Sequence, residues 1–259
     1  MTKRKTYRFR GGEIIEVEEY HDGAYGAPGK SRAKKQKPTT EQMQQVNALN
    51  KARLARHRLL EYFNPGDIFA TLTYAVENRP PDMEKAKKDF SDAMRKIRRK
   101  YKKIEAPLYW MRNIEQGTKG AWHIHLIIKD CEGAASILQD AWEHGGVYIE
   151  RIGKSKYYDK DMSQLAAYIT KNERTVEKRK DGTVAKPRIR QALYSASKNM
   201  PLKKPKVKLL VRWRAKPQEK KGYYIAKCHE GVNPITGHRY RRYTMYRIRD
   251  EEKPPGKTA

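Results

Sequence analysis

An α+β fold is predicted for this chain, built on an antiparallel β-sheet with helices on one face. Three observations predict it. The stretch "DMEKAKKDFSDAMRKIRRKYKK" (82–103) repeats apolar residues at helical spacing. "IFATLTY" (68–74), "PLYWMRNIEQ" (107–116) and "AWHIHLIIK" (121–129) are short runs rich in β-branched and aromatic residues. Helical and extended runs then alternate in a fixed order between residues 66 and 173.

Residues 1 to about 38 mix charge with glycine and proline and read as a mobile basic arm, with a short strand at "EIIEVEEY" (13–20). Residues 39–62 read as a helix. Thr39 or Thr40 can cap it, and Met43, Val46, Leu49, Leu54 and Leu59 recur at roughly helical spacing. "FNPGD" stops it. The strand at 68–74 follows, then the helix at 82–103, with Met83, Ala86, Phe90, Met94 and Ile97 on one face and the cations opposite. The next two strands are joined through "GTKG" as a hairpin. "AASILQDAWEHG" (134–145) reads as a helix closed by Gly145, "VYIERI" (147–152) as a strand, and "MSQLAAYITKNE" (162–173) as a further helix. The order β-α-β-β-α-β is the ferredoxin-like or RRM-like arrangement. In the last third, "PKVKLLVRWRA" and "GYYIAKCHEGVNPITGHRYRRYTMYRI" alternate basic with aromatic or apolar residues and read as strands turning at "NPITG". The expected division is a basic N-terminal arm and helix (1–65), a central domain (66–205) and a basic β-rich C-terminal arm (206–259).

Charge narrows the function. Lys plus Arg number 58 against 30 Asp plus Glu, a net +28. A surplus of that size favours a polyanionic partner, because phosphate neutralisation drives such binding. No run of 18 apolar residues is present, so no membrane span is expected. The N-terminus has no apolar segment of the secretory kind. Cys131 and Cys228 lie far apart without CxxC spacing, which fits a reducing cytoplasm.

The chemistry centres on "AWHIHLIIKD" (121–130). Alternation along a strand puts Trp122, Ile124, Leu126 and Ile128 on one face and His123 and His125 on the other. Two residues apart on a strand, the imidazoles are about 7 Å apart and can lean onto one cation. H-x-H pairs are usually surface histidines, but the opposite face of this strand is wholly apolar. Glu115 on the preceding strand is the nearest carboxylate that a hairpin can bring to them, provided the loop register puts it on the same side. A five-residue loop, Gln116 to Gly120, does so and sets Glu115 against Ala121. Two histidines and a carboxylate leave positions open for water or substrate oxygens. In "AAYITK" (166–171), Tyr168 and Lys171 share a helical face. A tyrosine hydroxyl can attack a phosphodiester, though it is weak at its free pKa of about 10 and needs a polarised phosphate or a base. A lysine one turn on supplies positive charge to phosphate oxygens.

These elements together resemble the HUH endonucleases, in particular the single-tyrosine rolling-circle replication initiators of plasmids, phages and integrative elements. "FATLTY", His123-Ile124-His125 and Tyr168 to Lys171 match that family's motifs in order and spacing, over about residues 66–205. The resemblance implies that Tyr168 nicks single-stranded origin DNA, often exposed in a hairpin, becoming linked to the 5′ phosphate and leaving a free 3′ hydroxyl. A later strand transfer rejoins the circle. His123, His125 and Glu115 would hold Mg²⁺ or Mn²⁺, and Lys171 would steady the phosphate. A bacterial cytoplasm is the expected location. "RIGKSK" lacks the first glycine of a phosphate-binding loop, since Tyr148 stands there, so a host helicase and polymerase are the implied partners. The same chemistry would serve a transposase or a mobilisation nuclease. A non-enzymatic RNA-binding module is the competitor of a different class, and it leaves the histidine pair unexplained. Tyr157 and Tyr158 stand in a loop without a lysine partner and make weaker nucleophiles. Cys228, His229 and His238 lack the spacing of a zinc finger.

Overall fold

In the computed structural model, residues 2–21, 39–175, 188–232 and 238–248 are described. They form ten strands and four α-helices, which fall into two compact units. One unit combines Met1–Asn47 with Leu202–Ala259, and the other is Ala48–Pro201.

The first unit is a five-stranded antiparallel sheet. Its strands are β1 (Thr2–Phe9), β2 (Ile14–His21), β8 (Lys206–Leu210), β9 (Tyr223–Val232) and β10 (Arg239–Arg247), in the order β8-β1-β2-β10-β9. The strand read at 13–20 is β2. Residues 2–9, read as part of an arm, pair with it along their whole length, from Thr2 opposite His21 to Phe9 opposite Ile14. The tight link between them is a 3₁₀ turn at Arg10–Gly12, where Gly11 and Gly12 take φ of 63° and 105°, conformations that suit glycine. The N- and C-terminal segments thus meet in one sheet, with Ile15, Val17, Tyr223, Tyr243 and Met245 as its apolar cluster. Cations on β1 hid this strand in the sequence. The buried Glu19 pairs with both Arg4 and Arg241, so charge is accommodated inside the sheet. The turn read at "NPITG" lies outside the described residues.

The second unit carries the ferredoxin-like order. Its elements are β3 (Ile68–Thr73), α2 (Met83–Lys103), β4 (Trp110–Gly117), β5 (Trp122–Ile128), α3 (Ala134–Ala141) and β6 (Val147–Arg151), with sheet order β6-β3-β5-β4 and β7 (Ile189–Ala196) added beside β4. All neighbours run antiparallel. One face presents Ile68, Ala70, Leu72, Ile114, Trp122, Ile124, Leu126 and Ile128 to Phe90, Met94 and Ile97 of α2 and Leu138 of α3. Asp82 caps α2 by accepting from the Lys85 N–H.

Several boundaries differ from the sequence reading. Helix α1 spans Thr40–Tyr62, but Met43, Val46, Leu49 and Leu54 are exposed, and burial is confined to Ala55, Arg56, His57, Leu59 and Leu60. Helix α3 stops at Ala141 rather than reaching Gly145. The following residues leave the helix to pair with β3: Ala75 donates to the His144 carbonyl and Thr73 to that of Gly146. A Cβ on Gly145 would lie 2.6 Å from the Ala75 nitrogen, so this glycine serves a close backbone approach rather than a helix end. Helix α4 is Ser163–Ile169, shorter than the 162–173 read from sequence. The Thr170 hydroxyl bonds back to the Ala166 carbonyl, and Asn172 turns the chain by accepting from the Arg174 N–H. Strand β7 had no counterpart in the reading.

Candidate nuclease site

The sheet face away from α2 and α3 holds the polar residues. The hairpin β4–β5 pairs Glu115 with His123 and Asn113 with His125. Glu115 therefore lies on the histidines' side, two residues along from the expected pairing with Ala121, because the hairpin closes at Gly117 and Ala121. On the other flank of β5, Thr71 faces His125 and Thr73 faces His123. Helix α4 crosses this face. Its first turn is fixed by carboxylates: Asp161 accepts from the Ser163 N–H and hydroxyl, and Asp159 from the Gln164 N–H. Buried Arg56 of α1 reaches the Asp161 carbonyl at 3.3 Å.

Four of the sequence-derived residues touch. Tyr168 Oη is 3.0 Å from His125 Nε2. Glu115 Oε1 is 2.9 Å from the same nitrogen, and Glu115 Oε2 is 2.9 Å from Lys171 Nζ. That ammonium also stands 4.0 Å from the centre of the Tyr168 ring. Lys171 lies just past the end of α4, not on its face, and reaches the site because buried Asn113 holds its carbonyl at 2.9 Å. His123 is on the same face, its ring nearly parallel to that of His125 at 6.4 Å. Glu115, His123 and His125 do not bring one ligand atom each within 4.8 Å of one another, so they form a convergent face rather than a closed cage.

The electrostatics suit a cation. Burial pushes both imidazoles below their usual range, outweighing the attraction of Glu115, which favours the neutral ring that ligates. Burial pushes the Glu115 carboxyl upward, but its hydrogen bond with His125 and the charge of Lys171 outweigh this and hold it below the usual carboxylate range. A carboxylate only accepts, so Nε2 of His125 carries the proton here and the Thr71 hydroxyl, 3.1 Å away, donates to Nδ1. When Nε2 presents its lone pair to a metal, the same hydroxyl accepts from Nδ1–H and holds the ring in place. Two neutral imidazoles and an ionised carboxylate are a donor set for a divalent cation, and an ammonium already sits on that carboxylate. The residues fit the group.

Sequence reasoning missed four neighbours. Thr71 and Asn113 were within reach of the same alternation that placed His125, as residues directly opposite it. Phe69 and Tyr157 were not. Tyr157 comes from the loop before α4 and stacks on Tyr168, with ring centres 3.6 Å apart and planes at 19°. Phe69 meets both rings edge-on. His144, read as a helix C-terminal residue, instead packs among Tyr74 and Trp142.

Residues 67–173 match a family model of replication-associated proteins, the ORF2 type. The matched stretch runs from the start of β3 past α4, so it contains every residue of the cluster just described. The match supports a role in replication. No curated protein and no solved structure matches the chain. Among the described residues, no helix is long and apolar enough to cross a membrane.

Proposed function

We propose that the chain is a replication initiator that nicks single-stranded origin DNA through Tyr168. The observation that carries this reading is the 3.0 Å approach of Tyr168 Oη to His125 Nε2, which brings a phenol and a candidate cation site to one point. The phenol oxygen bonds to the scissile phosphorus as the bond from phosphorus to the 3′ oxygen breaks. The phenolic proton is lost and the 3′ oxygen gains one, leaving a 5′ phosphotyrosine and a free 3′ hydroxyl. Lys171 faces the ring and stabilises the negative charge that develops on its oxygen. His123, His125 and Glu115 would hold Mg²⁺ or Mn²⁺, whose positive charge would draw electron density from the phosphate. Attack of the released 3′ hydroxyl on the phosphotyrosine reverses the step and rejoins the strand.

The test is a denaturing gel of protein incubated with labelled origin single strand and Mn²⁺. Wild type yields a covalent adduct that EDTA prevents. Tyr168→Phe binds the strand and yields none. An adduct that persists in Tyr168→Phe rejects Tyr168 as the nucleophile.

A further inference from the structure

The opposite side of the same unit carries a second surface that the nicking reading does not use. From Arg95 to Lys103, α2 has seven cations in nine residues and no carboxylate, while Ile97 and Tyr101 point into the core. Lys96, Arg99, Lys100 and Lys103 recur on one face of the helix. With Ile137 and Asp140 of α3 they line an open groove of about 450 Å³. Lys96 is matched by Glu143. Arg99, Lys100 and Lys103 are exposed, and among the described residues none pairs with a carboxylate.

Compensation of the helix dipole does not account for this. That interaction fades beyond the last turn, which holds Lys100, Lys102 and Lys103, whereas Arg95, Arg98 and Arg99 lie upstream. The run from Lys96 to Lys103 spans about 10 Å along the helix. Phosphates follow one another about every 3.4 Å of axis on each DNA strand, so the groove matches about three of them. No aromatic ring lines it, so it offers a backbone contact and no platform for stacking unpaired bases.

We propose that the α2–α3 groove is a binding surface for the phosphate backbone of duplex DNA. The sheet, and a helix about 10 Å across, separate it from Tyr168. The DNA held there is therefore not the strand being cut, and the site would keep the protein on unmelted duplex beside the nick. The inference does not depend on the chemistry of Tyr168.

The test uses the full chain with Arg99→Gln, Lys100→Gln and Lys103→Gln combined. Binding to a short duplex and to an oligo-dT strand is measured by fluorescence anisotropy in EDTA across a NaCl series. The plot of log affinity against log salt should become shallower by about 2.7 on duplex, from about 0.9 per lost phosphate contact. It should be unchanged on oligo-dT. Circular dichroism and nicking of a short single strand should match wild type, so failure of the nicking reading shows separately. An unchanged duplex slope in a folded variant overturns the proposal. An equal fall on oligo-dT overturns the assignment to duplex.

Discussion

Glu115→Gln keeps the shape of the side chain and removes its charge, leaving the Lys171 ammonium without its counter-ion. Both side chains are mostly buried, 11% and 13% exposed, with 2.9 Å between the charged atoms. Their attraction at an effective dielectric of 20 is about 6 kcal/mol, of which the cost of burying two charges offsets most. Breaking a buried pair from one side costs about 3–5 kcal/mol. The low end, about 3 kcal/mol, applies here because the amide can still accept from His125. Lys171→Met should cost less, since Glu115 keeps His125 as a partner. The double variant should be more stable than the sum of the singles predicts, by about 1.5–3 kcal/mol. The assay is urea unfolding in EDTA at neutral pH, followed by tryptophan fluorescence. Trp110, Trp122 and Trp142 all belong to the unit that holds the pair. Additivity to within about 0.5 kcal/mol would show that the two charges do not interact, and the electrostatic account of the site would fall with it.

Two further outcomes follow from the same geometry. Tyr157→Ala removes the ring stacked on Tyr168, and adduct formation should slow by about 2- to 12-fold at unchanged DNA affinity, from the worth of an aromatic pair. Tyr157→Phe should restore the rate, and a Phe variant as slow as Ala would show that the hydroxyl matters instead. For metal-free protein, the depressed imidazoles set the pH response. Above about pH 6.5 folded and unfolded chains both carry neutral rings; below it the unfolded chain takes protons first, so stability falls with pH through that window. Glu115 works in a lower window: its depressed carboxyl adds stability above its ordinary range, and this is lost on further acidification. Thermal melts in EDTA from about pH 7.5 to 5.5 should show a shallower loss in His125→Gln than in wild type. Parallel curves would contradict the assigned direction.

Alternation and helical spacing made the second unit legible. A run such as Trp122, Ile124, Leu126, Ile128 can bury one face only, and that fixed the side on which His123 and His125 stand. Strand β7 escaped notice because Arg190 and Gln191 interrupt its apolar pattern, and its pairing with β4 supplies the order that its composition does not. Strand β1 escaped because its charges are matched by partners on other strands.

By itself the sequence determined the local elements, the sheet face that carries the histidines and the identity of the reactive groups, since all of these follow from spacing within a few residues. Tertiary structure alone decided that Lys171 rests on Glu115, that Tyr157 covers Tyr168, and that the two ends of the chain share a sheet. Those contacts join residues that no local periodicity relates, and only the closing of the sheet and the crossing of α4 bring them within bonding distance.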